Sequence, residues 1–296
     1  MTSDLCQQTI LKLLDTYPFF RSEVLTTTAY GRPVQTLVIG EGDRNVLYSA
    51  SHHANEWITT PVLLKFAEEL AQAIQSDKTF YNYNPRDILD AVTIHMIPMV
   101  NPDGVDLVTG AITPASPEYD AAESISGDFP DIPFPDGWKA NLLGVDLNLN
   151  YPAGWLHARE IKFSQGFVRP APRDYVGRAP LNQTETHAMA GYTEYIDPAL
   201  VLALHTQGEE IYWQFEDIEV PGARQLGEKM AAASGYALAD TPYASSFAGY
   251  KDWFIKKFRR PGYTIEAGRG ENPLPIEQFA QIYGACLPIM LIAAEG

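Results

Sequence analysis

The stretch NVLYSASHHANEW, residues 45–57, runs from an apolar segment into a cluster of histidine, asparagine and glutamate. Its first part, residues 45–49, has the length and composition of a buried strand. A helix is predicted soon after it, because apolar residues between Leu63 and Ile74 recur at helical spacing and Pro61 stands near the helix start. The polar cluster therefore follows a strand and precedes a helix, which is the position where α/β proteins bind ligands.

Predicted strands and helices alternate along the rest of the chain. Strand-like apolar runs occur at residues 34–39, 45–49, 91–99, 200–204, 211–215 and 263–265. Helical patterns occur at residues 3–17, 183–195, 222–234, 251–257 and from about 276 onward. Because several strands are apolar on both faces, we expect an α/β fold with a mostly parallel sheet covered by helices. Residues 101–141 and 151–180 are rich in proline, glycine and polar side chains, and we expect long functional loops there.

The composition excludes some classes of protein. The 296-residue chain has 21 Lys and Arg against 37 Asp and Glu, which gives a formal net charge of −16. This balance excludes nucleic-acid binding through bulk positive charge. With 46% hydrophobic and 20% charged residues the chain can bury a substantial core. We expect one folded domain over residues 1–296.

Cysteine usage and hydropathy bear on the location of the protein. Cys6 and Cys286 are too few for a disulfide framework, which favours a reducing compartment. The first eleven residues contain Asp4 and neither Lys nor Arg, so a secretory signal is not expected. The apolar stretch 282–294 is shorter than the roughly 20 residues that cross a bilayer, and it predicts a terminal core helix. These features predict a cytoplasmic protein that does not bind membranes.

Polar residues with metal-binding or catalytic chemistry follow four of the predicted strands. They are His53 with Glu56, the segment 101–104, His205, and Glu266. The carboxyl ends of parallel strands share one edge of a sheet, so we expect these groups to converge. His53 and Glu56 are spaced i, i+3, which places both on one face of a helical turn. With His205 they would form a His2Glu set that leaves a fourth position open, as catalytic zinc sites do.

Other histidines fit this role less well. His52 is the alternative to His53, but Asn55, three residues further on, is a poorer zinc ligand than Glu56. His95 lies within an apolar strand, which favours a hydrogen-bonded core histidine. An H-x-x-E spacing also arises often by chance, so the metal hypothesis depends on the combination of all four strand ends.

The motifs resemble those of the zinc carboxypeptidases along essentially the whole chain. The matching segments occur in the family order and are 53–56 (HANE), 101–104 (NPDG), 144–148 (GVDLN), His205 and 263–266 (YTIE). The resemblance implies an α/β fold around a mixed, twisted sheet of about eight strands flanked by helices. It implies one zinc ion held by His53, Glu56 and His205, with Glu266 as the general base. Asp146 matches a family carboxylate that orients the first zinc histidine.

Three positions depart from the family pattern or match it less directly. Lys139 stands where the family has an arginine that stabilises the oxyanion, so it supplies a point charge without the bidentate fork. Tyr243 lies near the place of the tyrosine that closes over the substrate, although counting back from Glu266 ends on Ala244. Leu149 replaces the arginine that grips the terminal carboxylate of a carboxypeptidase substrate, and leucine makes no ion pair. A simple carboxypeptidase is therefore disfavoured.

Three segments are similar to the bacterial γ-D-glutamyl-L-diamino acid endopeptidase branch of the family. They are 138–141 (WKAN), 146–152 (DLNLNYP) and 268–275 (GRGENPLP). This branch cuts cell-wall stem peptides between γ-D-glutamate and diaminopimelate or lysine, which implies an anionic peptide substrate and, for a cytoplasmic member, recycled or internal muropeptides. An acidic protein needs local cations to hold such a substrate, and Arg269 is the candidate, with Asn148 as a further substrate-binding residue.

Three rival functions remain open at the level of sequence. The nearest is a carboxypeptidase with another anchor for the terminal carboxylate. The second is a deacylase of related fold that acts on small N-acyl amino acids. The third is a non-catalytic module that binds peptidoglycan. The choice between diaminopimelate and lysine, the length of the peptide and the oligomeric state are not indicated.

Overall fold

A β-sheet of seven strands forms the centre of the protein, which a computed structural model describes over all 296 residues. The strands of the chain are β1 Val24–Thr27, β2 Pro33–Gln35, β3 Leu37–Ile39, β4 Arg44–Ala50, β5 Val92–Ile97, β6 Leu200–His205, β7 Glu210–Tyr212, β8 Ala237–Ala239 and β9 Gly262–Glu266. The helices are α1 Ser3–Thr16, α2 Thr59–Gln75, α3 Pro85–Ala91, α4 Pro102–Val108, α5 Pro117–Ser126, α6 Trp155–Ser164, α7 Thr184–Ile196, α8 Ala223–Ser234, α9 Tyr250–Phe258 and α10 Phe279–Glu295. Short 3-10 turns occur at Ala54–Glu56, Leu147–Leu149, Tyr243–Ser245 and Ile276–Gln278.

The sheet is mixed and mostly parallel, which confirms the predicted fold class. Its strand order is β3-β5-β4-β6-β9-β7-β8. The four central strands β5, β4, β6 and β9 are parallel, whereas β3 is antiparallel to β5 and β7 is antiparallel to β9. The edge strand β8 is parallel to β7. The carboxyl ends of the four central strands therefore meet at one edge of the sheet, where ligands bind in open α/β folds.

The sheet has seven strands rather than the eight or so that the resemblance implied. One reason is that the predicted strand 34–39 is divided into β2 and β3. Its first part, β2, pairs with β1 in a separate two-stranded ribbon, and only β3 joins the main sheet. Thr36 lies between the two parts, and its hydroxyl oxygen accepts a hydrogen bond of 3.0 Å from the Glu23 amide. The Thr36 amide also donates to the Glu23 carbonyl at 2.9 Å, so the chain stays paired with the segment before β1 between the two strands.

Three helices lie within the two stretches that were predicted as long loops. α4 begins at Pro102, with the side chain of Asn101 accepting a hydrogen bond from the Gly104 amide at 3.1 Å. α5 begins at Pro117, with Ser116 as its N-cap. Proline at the first helical position and a side-chain cap are ordinary helix starts. The prediction of irregular structure was wrong here, because Asn-Pro and Ser-Pro also occur in turns and these helices are too short to show a clear period.

Helices cover both faces of the sheet and bury most residues of its central strands. Alternate residues of β4 enter different clusters: Tyr48 packs in a cluster with residues of α1, α2 and α10, whereas Leu47 packs with residues of α7 and α9. The same alternation holds for Leu202 and Val201 of β6. Full burial of each such side chain stabilises the fold by about 1.5–3 kcal/mol. The strands that carry the polar cluster are thereby held in place from two sides.

The C-terminal helix is part of this core. By length and composition alone, the segment Ile276–Glu295 would suffice to cross a membrane. Nine residues of α10 are buried, among them Leu287 and Leu291, and the helix packs against α8 and α2. The prediction of a terminal core helix at 282–294 is confirmed.

His95 is a hydrogen-bonded core histidine, as predicted. The Tyr192 hydroxyl lies 2.7 Å from its Nδ1 and Asn45 Oδ1 lies 3.0 Å from its Nε2. A neutral imidazole satisfies both contacts, since Nδ1 accepts from the hydroxyl and Nε2 donates to the amide oxygen. Burial, together with the positive charge of Arg21, lowers the pKa of His95 to about 4.

We expect His95 to make the free energy of unfolding fall on acidification. The unfolded chain, in which histidine has a pKa of about 6.5, takes up the proton before the folded protein does, so stability is lost as the pH falls from about 6.5 towards 4. Urea unfolding should show this loss in the wild type, and His95→Gln should reduce the loss between about pH 7 and about pH 4.5 by about 2 kcal/mol. His187→Gln, at an exposed position, is the control. An equal loss in the His95 variant and the wild type would contradict the expectation.

Candidate metal centre and active site

The predicted zinc ligands lie together at the carboxyl edge of the sheet. His53 immediately precedes the 3-10 turn Ala54–Glu56 that follows β4, and His205 is the last residue of β6. β4 and β6 are adjacent parallel strands. Their ends therefore bring together two histidines that are 152 positions apart in the chain.

The Glu56 carboxylate lies between the two imidazole rings. Its Oε1 is 2.9 Å from His53 Nδ1 and its Oε2 is 2.8 Å from His205 Nδ1. The two Nδ1 atoms are 3.2 Å apart. Glu56 and His205 are each only 1% exposed. Two nitrogens and a carboxylate thus converge on one buried point.

This donor set fits a zinc ion. Zn–N bonds of about 2.0–2.1 Å in a tetrahedron place neighbouring ligand atoms about 3.4 Å apart. The candidate ligand atoms of His53, Glu56 and His205 all lie within 4.8 Å of one another, with the closest pairs slightly inside the tetrahedral distance. His52, the alternative ligand, is not part of this group. Its ring stacks on His205, and its Nε2 lies 3.3 Å from the Tyr151 hydroxyl.

Asp146 holds His53 from the side away from the ligand cluster. Asp146 Oδ1 lies 3.1 Å from His53 Nε2. The same carboxylate accepts hydrogen bonds from the Asn148 and Asp174 amides, which fix its own position. With the imidazole proton on Nε2 and directed at Asp146, the Nδ1 lone pair faces Glu56. This is the orienting role that the resemblance implied for Asp146.

The electrostatic balance of the cluster favours a charged Glu56. Burial alone raises the pKa of Glu56, but the positive charges of His53 and His205 outweigh it and hold that pKa well below its usual range. Burial lowers the pKa of His53, but the charge of Glu56, supported by Asp146, raises it to about 9. At His205 burial dominates and the pKa is lowered. Binding of a metal displaces protons from such ligands, so metal affinity rises with pH.

Glu266 stands beside the cluster at the end of β9. It is the ladder partner of His205 in the parallel pairing of β6 with β9. Burial, followed by repulsion from Glu56, raises the pKa of Glu266 to about 8. Its side chain lines the cleft. A carboxyl group with a pKa near neutrality is suited both to take up and to return a proton.

The Lys139 side chain also lies next to the cluster of His53, Glu56 and His205. Its Nζ lies 3.6 Å from Glu56 Oε1 and its side chain is 19% exposed. The backbone of Lys139 is fixed on both sides, since its amide donates to the Pro172 carbonyl and its carbonyl accepts from the Ala54 amide. The ammonium group is therefore a preorganised positive charge next to the ligand cluster, as oxyanion stabilisation requires.

Two cavities meet at Glu266. The larger has a volume of about 750 Å³ and the smaller about 240 Å³, and polar residues make up most of the lining of both. Lys139, Arg173 and Glu266 line both cavities. Asn148 and Leu149 line the smaller one. A substrate that crosses Glu266 would place one part of its chain in each cavity.

Two predicted substrate-binding residues lie outside both cavities. The Arg269 side chain is 75% exposed, and its Nε lies 2.6 Å from Glu209 Oε2. Tyr243 is 67% exposed, and its hydroxyl lies 2.6 Å from His157 Nε2. The structure thus brings Asn148 to the reaction centre but not these two, whose contact with substrate stays a prediction.

Five charged residues of the smaller cavity were not singled out from the sequence. They are Lys162, Arg173, Asp174, Lys251 and Asp252. Lys162 and Arg173 come from the stretch predicted as a loop, and a lysine at the start of a predicted helix is ordinarily solvated. Burial distinguishes three of them: Lys162 is 6%, Lys251 4% and Asp252 3% exposed, whereas the Arg173 side chain is 42% exposed. Burial of this kind depends on tertiary packing and has no signal in a single sequence.

A metal-dependent hydrolase is the class that this fold and this site define. The sequence profile of the zinc carboxypeptidase family matches residues 7–286, and the chain belongs to that family. It is 42% identical over 282 residues to γ-D-glutamyl-L-diamino acid endopeptidase 1 of Lysinibacillus sphaericus. The aligned region covers 95% of this chain and 69% of that protein. It is 36% identical over 286 residues to the uncharacterized protein YqgT of Bacillus subtilis (strain 168), covering 96% and 74% of the two chains. The protein is a zinc metallopeptidase of the γ-D-glutamyl-L-diamino acid endopeptidase-like type, which confirms the predicted family.

Solved structures share the fold at low sequence identity. Carboxypeptidase A from Helicoverpa armigera has a TM-score of 0.73 and 18% identity, covering 100% of this chain and 74% of that one. Bovine thrombin-activatable fibrinolysis inhibitor has a TM-score of 0.75 and 14% identity, and the match covers 100% of this chain and 96% of that one. Murein-tripeptide amidase MpaA from Escherichia coli O157 has a TM-score of 0.56 and 18% identity, covering 91% of each chain.

We expect His205→Ala to weaken zinc binding strongly, because it removes one of the three convergent ligand atoms. The purified variant should carry much less zinc than the wild type when both are measured by elemental analysis. His187→Ala, at an exposed position, should keep the wild-type content. Wild-type zinc content in the His205 variant would exclude His205 as a ligand.

Proposed function

We propose that this protein hydrolyses the amide bond between γ-D-glutamate and the diamino acid of bacterial cell-wall stem peptides. The observation that carries this proposal is the polar, charge-lined cleft that extends to both sides of Glu266. A stem peptide is a strongly polar chain with several carboxylates, and such a cleft matches it better than the apolar pockets typical of small-molecule sites. The name of the Lysinibacillus sphaericus relative supports the same bond.

His53 Nδ1, the Glu56 carboxylate and His205 Nδ1 would hold one zinc ion. Bound there, zinc supplies a Lewis acid that polarises a carbonyl and lowers the pKa of water towards about 7. Asp146 keeps the proton of His53 on Nε2 and so keeps Nδ1 available.

The chain's own residues carry the proton transfers. Glu266 takes a proton from the attacking water and returns it to the leaving amine of the diamino acid. The Lys139 ammonium group stabilises the negative charge that develops on the carbonyl oxygen. Both side chains line both cavities, so they face the scissile bond from either direction of approach.

Arg173 replaces the carboxylate anchor that Leu149 cannot provide. The Nε of Arg173 donates to Asp174 Oδ2 at 2.7 Å, which orients the guanidinium group. Its two terminal nitrogens make no hydrogen bond with the protein and are available to a carboxylate. Because Arg173 lines both cavities, it lies near the junction where the α-carboxylate of the leaving residue would bind. A local cation of this kind is needed in a protein with a net charge of −16.

We propose that this reaction takes place in the cytoplasm, on recycled or internal muropeptides. Cys6 and Cys286 are both buried free thiols, which suits a reducing compartment.

The zinc-loaded protein should split L-alanyl-γ-D-glutamyl-diaminopimelate into L-alanyl-D-glutamate and free diaminopimelate. Mass spectrometry of the products identifies the bond that is cut. Release of C-terminal residues from ordinary L-peptides, with the tripeptide left intact, would instead establish a carboxypeptidase. Release of the N-terminal alanine would also contradict the proposal.

Glu266→Gln should retain zinc and lose turnover by about 100- to 10,000-fold, because the amide cannot accept the proton of water. Elemental analysis and kcat on the tripeptide test the two parts separately. Glu277→Gln makes the same chemical change at an exposed position and should behave as the wild type. Turnover by Glu266→Gln at the wild-type rate would remove this residue from the mechanism.

A further inference from the structure

The segment 101–104 (NPDG) lies beside the reaction centre without contributing a group to it. None of its residues lines either cavity. Asn101 is 0% exposed and lies between β5 and α4. The helix α4 that begins in this segment packs against the 3-10 turn Ala54–Glu56. Any part that the segment has in the chemistry is therefore exerted through neighbouring residues.

The Asn101 carboxamide joins two backbone segments of the active site. Its Nδ2 donates to the His52 carbonyl at 3.2 Å, one residue before the candidate ligand His53. The same nitrogen donates to the Ala140 carbonyl at 3.0 Å, and the Lys139 carbonyl lies 3.5 Å from it. An amide nitrogen has two protons, and here both are used on carbonyls of the two segments. The side chain thus bridges the ligand segment and the segment that carries Lys139.

The two segments also contact each other directly, where only a residue without a side chain fits at position 104. The Ala54 amide donates to the Lys139 carbonyl at 3.0 Å. A methyl group on Gly104 would lie 2.6 Å from the Ala140 carbonyl oxygen and 2.8 Å from Ala54 Cβ. Gly104 lies within α4 and has no positive φ, so the glycine is required by space and not by its backbone conformation.

We propose that Asn101 is a positioning residue that holds Lys139 at a fixed distance from the candidate zinc ligands, with Gly104 permitting the close approach. This inference rests on the role of Lys139 in the proposed function. The Lys139 side chain has Glu56 as its only ionic partner, so the place of its ammonium group depends on the backbone that carries it. Stabilisation of an oxyanion requires a charge that is already in place, and a displacement of about 1 Å can cost about 100-fold in rate.

This role has a kinetic signature that a purely structural role lacks. An oxyanion develops only in the transition state, so a misplaced Lys139 should lower kcat and leave KM and zinc content unchanged. Because Asn101 acts through Lys139, its loss should cost nothing more once the ammonium group has been removed. A residue that only stabilised the fold would instead give independent, additive effects.

Asn101→Asp tests the bridge in the zinc-loaded protein. Aspartate keeps an oxygen that can cap α4 but has no proton for the two carbonyls. We expect kcat on L-alanyl-γ-D-glutamyl-diaminopimelate to fall by about 10- to 100-fold, with KM within about twofold of the wild type. Zinc content by elemental analysis should be unchanged. Asn84→Asp is the matched control, since Asn84 is an exposed N-cap that also precedes a proline, and it should behave as the wild type.

A double-variant cycle with Lys139→Met separates positioning from structure. Lys139→Met alone should lower kcat by about 100- to 1,000-fold. Adding Asn101→Asp to it should lower kcat by no more than about twofold further. A further fall of tenfold or more, or a wild-type kcat in either single variant, overturns the inference and leaves the proposed cleavage intact. A wild type that leaves the tripeptide whole overturns both.

Gly104→Ala disturbs the same contact while keeping every hydrogen-bonding group. Alanine is the better helix former, so this change ordinarily stabilises a helix. Here we expect kcat to fall at least about tenfold at unchanged zinc content, and again no further fall in the Lys139→Met background. Gly191→Ala, at an exposed position of α7 with open space around it, should keep the wild-type kcat. If Asn101→Asp does not fold, this cycle decides the question, and a wild-type kcat for Gly104→Ala overturns the inference.

Discussion

The buried charge of Glu56 is the constraint on which the active site depends. Removing an ion from water costs several kcal/mol unless partners compensate it. Glu56 is 1% exposed, and its compensation comes from His53 and His205 on its two oxygens, with Lys139 close by. The contacts that make this burial tolerable are also those that aim two imidazole nitrogens at one point. Stability of the cluster and competence to bind a metal therefore have the same physical origin.

Parallel pairing of the central strands places the reactive groups relative to one another. His205 and Glu266 are ladder partners at the ends of β6 and β9, and His53 follows β4 on the other side of β6. Because both faces of these strands are packed under helices, a shift of register would disrupt the packing on both faces and is opposed by the whole core. The distances within the site are thus set by the fold rather than by flexible loops.

In our proposal, the charge-lined cavity compensates for Leu149, which stands in place of an anchoring arginine. Arg173 then supplies the cation that the 3-10 turn Leu147–Leu149 lacks. The substrate carboxylate in our proposal is held by a guanidinium group that Asp174 positions. Cations paired in this way keep their orientation without filling the cavity.

The sequence by itself determined the parts of this protein that depend on local patterns. Apolar periodicity identified the central strands and α2, and the i, i+3 spacing of His53 and Glu56 identified two of the three candidate metal ligands. Short helices such as α4, which is marked only by a cap and a proline, escaped detection. Only the tertiary structure decided that Arg269 turns to Glu209 and that Lys251 is buried in the cleft, where it meets the carbonyl of Gln214, 37 positions away. The reason is physical: whether a charged side chain is solvated or buried depends on groups that the chain brings together only when it folds.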